Sequence, residues 1–213
     1  MDVFLTGGTG YMGQRLIPLL AAKGHQISAL VRKGSEQKLP QGCTPVLGNA
    51  LDRTTFIHQI KPADTFVQLV GVAHPSPSKG EEFRKIDLVS GRESVAAAKE
   101  TGVKHFVYVS VAHPAPMMKD YIAVRSEVES LIRASGMNAT ILRPWYVLGP
   151  GHRWPYPLLP IFWVLERIPA TQDSARRLGF VSLRQMLSAL VKAVDDPPSG
   201  VQVWEVPQIR SRF

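Results

Sequence analysis

The chain has 213 residues, of which 45% are hydrophobic and 20% are charged, a composition typical of one globular domain with a substantial core. Its net charge of +8 is spread evenly, with no run of five like charges, which disfavours nucleic acid as a partner. The single cysteine, Cys43, cannot form an internal disulfide, and no Cys/His cluster has metal-ligand spacing. We therefore expect no bound metal. Because the chain starts without a signal-peptide pattern and no apolar run could span a bilayer, we also expect a cytoplasmic protein.

In chain order, short apolar runs alternate with segments of helical periodicity. The predicted strands are residues 3–6, 26–32, 44–48, 65–71, 105–111, 139–143 and 201–206. The predicted helices are residues 11–23, 53–60, 82–101, 120–135 and 183–195. Several strands are apolar along their whole length, as expected where helices cover both faces of a parallel sheet. The alternation predicts a doubly wound α/β domain of six or seven strands, with its ligand at their carboxyl ends.

The first thirteen residues carry the clearest motif. Residues 3–5 are an apolar strand run, and Gly7, Gly10 and Gly13 follow with G-x-x-G-x-x-G spacing before a helical pattern. Gly7 would permit a tight turn, Gly10 the close approach of backbone to a pyrophosphate, and Gly13 the contact between helix and strand. Strand, glycine turn and helix together predict a dinucleotide-binding loop. The alternative is a plain glycine-rich turn.

Residues 144–172 interrupt the alternation of strands and helices. They contain six of the seventeen prolines and three of the four tryptophans. We predict that residues 144–182 form a small substrate-side subdomain or lid within a single domain that spans residues 1–213. The alternative is a proline-stiffened excursion over the surface.

Six motifs follow one another along the chain: Thr6-Gly-Gly-Thr-Gly-Tyr-Met-Gly13, Gly48-Asn-Ala-Leu-Asp52, Leu69-Val-Gly71, Phe106-Val-Tyr-Val-Ser110, Tyr121-x-x-x-Arg125 and Ile141-Leu-Arg-Pro144. Together they resemble the short-chain dehydrogenase/reductase superfamily, in its atypical NmrA-like branch of NAD(P)H-binding, epimerase-like proteins. The resemblance extends from residue 1 to about residue 206. It implies a Rossmann fold that binds NAD(P)(H).

The end of the second predicted strand bears on the choice of cofactor. NAD sites usually place an acidic residue there to bind the ribose 2′-hydroxyl, whereas this chain has Arg32-Lys33-Gly34-Ser35. Arg32 can stack on adenine and pair with a 2′-phosphate through its planar fork, and Lys33 adds positive charge. We therefore predict NADP(H) in preference to NAD(H). The alternative is two ordinary exposed basic residues.

The resemblance implies further cofactor contacts. Asn49 stands where relatives more often have an aspartate beside adenine, and its amide can still donate to and accept from the base. Asp52 is either part of this site or only an N-cap, and Gly71 ends the fourth strand where a side chain would crowd the cofactor. The implied cofactor-binding residues are Gly7, Thr9, Gly10, Tyr11, Met12, Gly13, Arg32, Lys33, Asn49, Ala50, Val70, Gly71, Ser110, Arg125, Pro144, Trp145 and Tyr146.

The resemblance also implies a catalytic set. Superfamily enzymes use a Tyr as general acid/base, a Lys four residues later and a Ser at the preceding strand end. Here Tyr121, Arg125 and Ser110 stand at those places, and the i, i+4 spacing puts Tyr121 and Arg125 on one helix face. Arginine can supply the positive charge, although its fork differs in shape from an ammonium group. The alternatives are an aromatic residue that only packs at the helix start and a serine that only caps a loop.

Arg143-Pro144 resembles the family segment that passes beside the nicotinamide ring. Trp145 and Tyr146 would then face the reactive end of the cofactor, and an aromatic wall around them would suit an apolar or planar substrate. The other members of that predicted wall are Trp154, Tyr156 and Trp163. The alternative is that these aromatic residues belong to an ordinary core. His113 could reach the site or lie exposed in a loop.

The leading functional hypothesis is an NADP(H)-dependent oxidoreductase of the atypical short-chain type that acts on a small, apolar carbonyl or quinone-like substrate. The Lys-to-Arg change at residue 125 favours a second hypothesis, a non-catalytic NADP(H)-binding redox sensor or assembly factor. A third, a nucleotide-sugar epimerase, is disfavoured because only about sixty residues follow Gly151. We expect a small-molecule partner and a monomer or homodimer.

Overall fold

Seven parallel strands form the main sheet of the computed structural model, which describes residues 1–60, 63–151 and 156–211. The strands are β1 Asp2–Thr6, β2 Gln26–Val31, β3 Thr44–Leu47, β4 Thr65–Gln68, β5 His105–Val109, β6 Asn138–Arg143 and β9 Val201–Glu205. Their spatial order is β3-β2-β1-β4-β5-β6-β9, so the strand order reverses between β1 and β4. This is the doubly wound Rossmann arrangement, and the predicted fold class is confirmed.

Helices cover both faces of the sheet. One face packs against α1 Gly13–Ala22, α7 Leu183–Asp195 and α8 Val206–Arg210. The other face packs against α3 Val89–Thr101 and α4 Lys119–Ser135. The predicted helix over residues 82–101 is a composite, because α2 Gly80–Glu82 runs through a six-residue π-helical segment, Phe83–Leu88, into α3.

Successive buried side chains of a strand point to opposite faces of the sheet and so belong to two separate cores. On β1, Val3 and Leu5 face α1 and α7, whereas Phe4 faces α3 and α4. Phe4, Phe66 and Phe106 stand in register on β1, β4 and β5, and successive ring centroids are 5.2 and 5.3 Å apart. This buried aromatic row fixes the register of the three central strands, and therefore the position of the loops at their carboxyl ends.

The helix predicted over residues 53–60 is wrong. The segment forms two short 3₁₀ turns, Arg53–Thr55 and Ile57–Gln59. Asp52 caps the first turn by accepting from the Thr54 N–H at 3.0 Å, and the Thr55 hydroxyl donates to the Asp52 carbonyl at 2.7 Å. Such local bonds from Asp and Thr side chains compete with helical backbone bonds, so the turn does not propagate into an α-helix.

Residues 144–182 contain a second, two-stranded sheet that the sequence did not predict. β7 Tyr146–Leu148 and β8 Phe180–Ser182 pair in parallel, and α5 Leu159–Leu165 and α6 Gln172–Arg177 lie between them in the chain. Ser182 then caps α7 in a capping box with Gln185. No helix in the described part of the chain is long and apolar enough to cross a membrane.

Gly7 is the residue on which the turn after β1 depends. Its φ is +77°, and a Cβ placed there would lie 2.8 Å from the Leu69 carbonyl carbon. The backbones that follow β1 and β4 therefore meet without room for a side chain. This close approach occurs at the point where the strand order reverses.

We expect Gly7→Ala to lower the free energy of unfolding more than the matched change Gly24→Ala. Gly24 has the same left-handed backbone, at φ +83°, but open space around its Cβ position, so it tests the backbone cost alone. That cost is about 1–2 kcal/mol, and the contact with Leu69 adds to it at residue 7. Urea unfolding of the two variants measures the difference, and equal losses would contradict the close approach.

Candidate functional site

Two adjoining cavities form one cleft at the carboxyl edge of the sheet. The first has a volume of about 350 Å³ and lies over the ends of β1, β2 and β3. The second has a volume of about 410 Å³ and lies over the ends of β4, β5 and β6. Gly7, Gly10, Leu69 and Gly71 line both, so the cavities meet at the reversal of strand order. This is where open α/β sheets bind their ligands.

The glycine loop forms the middle of the cleft. The Gly10 N–H donates to the Gly7 carbonyl at 3.0 Å, which closes the turn before α1. A Cβ on Gly13 would lie 2.7 Å from the Gly8 Cα, so the first turn of α1 packs directly on the loop backbone. The loop thus leaves open backbone beside the N-terminus of a helix, which is suited to a pyrophosphate.

The first cavity gathers the residues predicted for the adenine side. Thr9, Arg32, Asn49, Ala50 and Val70 all line it, and Ser35 from the Arg32 motif lines it too. None of the residues lining this cavity in the described chain is an aspartate or a glutamate. A 2′-phosphate would therefore meet a cation and a hydroxyl there rather than a carboxylate.

Two predicted residues lie outside the first cavity. Lys33 is exposed and is absent from its lining. Asp52 is absent as well, because its carboxylate caps the turn that follows, at 3.0 Å from the Thr54 nitrogen. Of the two interpretations of Asp52, the N-cap is confirmed.

The second cavity brings together the residues predicted for the reactive end. Its lining includes Ser110, which follows β5, and Tyr121 and Arg125, which lie on α4. It also includes Tyr11, Met12, Gly13, Pro144, Trp145 and Tyr146. The strands predicted over 65–71 and 105–111 end earlier, at Gln68 and Val109. The Leu69 and Ser110 N–H groups still donate to the Thr6 and Leu142 carbonyls of neighbouring strands, and residues 69–71 and 110–111 line the cleft.

A buried ion pair holds Arg125 in the floor of this cavity. Arg125 Nη2 donates to Asp87 Oδ1 at 2.5 Å, and Nη1 donates to the Val109 carbonyl at 2.8 Å. A Cβ on Gly71 would lie 2.5 Å from Arg125 Nη2 and 3.0 Å from Asp87 Oδ1. Gly71 does not end the fourth strand as predicted, because β4 ends at Gln68. It lines both cavities, and its missing Cβ also leaves room for this ion pair.

Tyr121 is packed between two neighbours. Its ring centroid is 4.8 Å from that of Phe83, and the Arg125 guanidinium carbon lies 4.9 Å from the Tyr121 centroid. Burial raises the pKa of the Tyr121 hydroxyl above its ordinary value, although the charge of Arg125 lowers it and that of Asp87 raises it. The phenol is therefore neutral at neutral pH and can act as a proton donor.

Ser110 belongs to a buried polar network. Its hydroxyl donates to Glu129 Oε1 at 2.6 Å, Arg143 Nη2 donates to Glu129 Oε2 at 2.5 Å, and Arg143 Nη1 donates to Glu205 Oε1 at 2.8 Å. Burial would raise the pKa of the Glu129 carboxyl, but bonds from Arg143 and Ser110 hold it below its usual value. Because the hydroxyl proton is donated to Glu129, the Ser110 oxygen can act toward a further group only as an acceptor.

The predicted aromatic wall is only partly present. Trp163 is 59% exposed and lies outside the second cavity, so its assignment to the wall is wrong. It lies on α5, where the Arg167 guanidinium carbon is 3.5 Å from the Trp163 ring centroid. The same helix packs against the ring of Phe180 through Phe162. Trp154 and the side chain of Tyr156 lie outside the described residues. His113 does not line the cleft, and its Nε2 lies 3.8 Å from Glu129 Oε1.

Two charged residues of the site were not predicted. Asp87 has no sequence signal beyond its place on a helical pattern, because its partner is 38 residues away. Glu129 had one usable signal, since it lies four residues after Arg125 and so shares its helix face. Residues 72–75, which follow Gly71, also line the second cavity.

The residues of the cleft fit a nicotinamide dinucleotide. The glycine loop is a cradle that a Cβ would fill, and Arg125 Nε is a buried N–H without an acceptor among the described residues. An N–H in this position suits a ribose hydroxyl. Within the described ranges, no group of three His, Cys, Asp or Glu side chains could hold a metal ion.

A family model described as NAD(P)H-binding matches residues 7–152. The chain belongs to this family. It is 32% identical to an uncharacterized sugar epimerase, YhfK, of Bacillus subtilis, over 98% of this chain and 94% of that one. It is 26% identical to a ceramide reductase of Caulobacter vibrioides over 93% of this chain, and it spans only 62% of that reductase's length.

The fold is shared with solved structures of the short-chain dehydrogenase/reductase and epimerase-like proteins. One is the Bordetella bronchiseptica enzyme WbmH in complex with NAD⁺, which superposes with a TM-score of 0.70 at 24% identity. The match covers 96% of this NAD(P)H-binding chain and 75% of WbmH. At this identity the likeness concerns the fold alone.

We expect Glu129→Gln to lower the free energy of unfolding by about 3 kcal/mol at neutral pH, because it breaks a buried ion pair. Since the folded pKa of Glu129 lies below its unfolded value, its contribution is present above the unfolded pKa and is lost as pH falls through the folded pKa. The difference between wild type and variant should therefore shrink on acidification. Urea unfolding at neutral and acidic pH measures it.

Glu127→Gln provides the matched control on the same helix. Glu127 forms an exposed ion pair with Arg92, which is worth about 1 kcal/mol or less. Equal losses in the two variants at neutral pH would contradict the importance of the network around Glu129.

Proposed function

We propose that the protein is an NADP(H)-dependent oxidoreductase of the atypical short-chain type that reduces a small, apolar carbonyl or quinone-like substrate. The observation that carries this proposal is one continuous cleft with Arg32 at one end and Tyr121, Arg125 and Trp145 at the other. In folds of this kind the dinucleotide crosses the point where the strand order reverses, with its phosphates at the glycine loop.

The preference for NADP(H) rests on the first cavity. Arg32 and Ser35 line it where NAD-binding proteins usually have an acidic residue. The guanidinium can pair with both oxygens of a 2′-phosphate and can stack on the adenine ring. In the second cavity, the free Arg125 N–H and the Ser110 acceptor would hold ribose and carboxamide groups.

Tyr121 would supply the proton for the reduction. A bound nicotinamide cofactor supplies hydride, which carries two electrons and one proton. Tyr121 donates its hydroxyl proton to the substrate oxygen as C=O becomes CH–OH, and the tyrosinate then takes a proton from water. Burial holds the pKa of Tyr121 above its ordinary value, so the residue is protonated at neutral pH and can donate to the substrate oxygen.

The substrate class follows from the walls of the second cavity. Val72, Val111, Trp145 and Val147 line it beside Tyr121. Apolar and aromatic walls with few polar groups suit a small apolar or planar molecule. A cytoplasmic setting, in which Cys43 stays a free thiol, and a monomeric or homodimeric state belong to this proposal.

One observation favours a second candidate, a non-catalytic NADP(H)-binding redox sensor or assembly factor. The Arg125 guanidinium is occupied by Asp87 and the Val109 carbonyl, and the Ser110 proton is donated to Glu129. Both groups are thus partly committed to the protein itself. Tight NADPH binding without turnover of any carbonyl or quinone would support this candidate over the enzyme.

We expect Arg32→Glu to raise the Kd for NADPH by about 10- to 100-fold, because a hydrogen bond to a charged group contributes about 1.5–3 kcal/mol. The Kd for NADH should rise far less, because NADH loses only the stacking of Arg32 on adenine. Lys33→Glu is the matched control, since it makes the same charge change one residue outside the cavity lining. Fluorescence titration with both cofactors measures the effect, and equal losses for NADPH and NADH would remove the 2′-phosphate from the proposal.

We expect Tyr121→Phe to reduce kcat by about 10²- to 10⁴-fold, the contribution typical of a general acid. Its Kd for NADPH should stay close to that of wild type, because the phenylalanine ring retains the contacts with Phe83 and Arg125. If kcat survives in Tyr121→Phe, this residue is not the proton donor.

A further inference from the structure

Asp87 is a buried carboxylate whose two oxygens bind different parts of the chain. It lies in the π-helical segment Phe83–Leu88, is 1% exposed, and does not line either cavity of the cleft. Its two carboxylate oxygens are used separately: Oδ1 accepts from Arg125 Nη2 at 2.5 Å, and Oδ2 accepts from the Val72 N–H at 2.9 Å. π-Helical turns inside α-helices often occur at functional sites, where the added residue redirects a side chain.

These bonds tie together three parts of the second cavity. Through Val72, Asp87 holds the segment that continues into residues 72–75 of the cavity wall. Through Arg125, it holds α4 against the end of β5, because the same guanidinium also donates to the Val109 carbonyl. Gly71 passes so close to the pair that a Cβ would displace it.

The pair also sets the charges that Tyr121 faces. The ionisable groups near its hydroxyl are Arg125 from its own helix, Asp87 from the π-helical segment and Tyr108 from β5. Tyr108 is neutral, since burial raises its pKa to about 12. Burial also raises the pKa of Asp87, but a guanidinium at 2.5 Å stays protonated and keeps this carboxylate ionised at neutral pH. Tyr121 therefore faces one positive and one negative charge.

We propose that Asp87 is a positioning residue: it fixes the Arg125 guanidinium between residues 71–72 and the end of β5 and balances its charge, so that Tyr121 meets the substrate oxygen as a neutral proton donor. A lone cation beside the phenol would stabilise the tyrosinate and favour a base, as oxidation of an alcohol requires. With Asp87 present, the phenol keeps its proton to a higher pH, so it can donate a proton over a wider pH range. This inference rests on the proposed function in taking Tyr121 as the proton donor.

The first test measures Tyr121 directly, without turnover. In protein labelled with ¹³C at the tyrosine ring carbon that bears the hydroxyl, the Tyr121 resonance is assigned by its loss in Tyr121→Phe. In Asp87→Asn the ratio of tyrosinate to tyrosine at a fixed alkaline pH should rise about tenfold, because one facing negative charge is removed. An unchanged or lower ratio in folded Asp87→Asn would overturn the proposal.

Two further variants keep the test decisive if Asp87→Asn does not fold. Arg125→Met leaves Asp87 as the only charge facing Tyr121, so the tyrosinate ratio should fall below that of wild type. The double variant Asp87→Asn/Arg125→Met removes both charges and should have a higher ratio than Arg125→Met alone. Equal ratios in these two proteins would show that Asp87 has no effect on Tyr121.

Turnover then separates this inference from the proposed function. If wild type reduces a carbonyl with NADPH, the pH above which the Asp87→Asn variant loses reductase activity should shift downward by about 1 pH unit, as the proton donor ionises earlier. If wild type has no turnover, the enzyme assignment fails while the resonance data still decide the role of Asp87. A kcat loss in Asp87→Asn without any shift in its pH profile would reduce Asp87 to a purely structural role.

Discussion

The buried ion pair between Arg125 and Asp87 is the interaction on which the second cavity of the cleft depends. Two charged groups removed from water are tolerated only when their geometry is good and their other hydrogen-bonding sites are satisfied. Here the Val72 N–H and the Val109 carbonyl satisfy them, which joins α4, the π-helical segment, the end of β5 and the turn after β4. The shape of the second cavity thus follows from the hydrogen-bond partners that this buried ion pair requires.

The two halves of the cleft differ in whether their polar groups are already paired with other groups of the protein. The glycine loop presents backbone without side chains to the first cavity, and Arg32 adds a guanidinium to its lining. Ser110 and Arg125 are already engaged with Glu129 and Asp87, so their chemistry toward a ligand is set by those partners. An arginine in place of the usual lysine is therefore better understood together with Asp87 than as an isolated departure from the family pattern.

The sequence predicted what depends on local pattern. The seven strands and the glycine loop were predictable, because apolar runs and glycine spacing are local features of a buried parallel sheet. The 3₁₀ turns after Asp52 were not, since Asp and Thr side chains there outcompete the helical backbone bonds. Asp87 and Glu205 acquire their partners only through tertiary contacts, at separations of 38 and 62 residues. β7 and β8 have three residues each, which is too few for an apolar strand pattern to be recognised in the sequence.

The pairing of β7 with β8 has a consequence for how the chain can diversify. These strands clamp both ends of the segment between Leu148 and Phe180, directly after the cleft residues Trp145 and Tyr146. The entropy of closing a clamped loop grows only logarithmically with its length. Residues can therefore be inserted or lost between the clamps at little cost to folding, while the cofactor cradle stays in place. The length of the segment between the clamps and the binding of the dinucleotide thus become separately evolvable properties of one domain.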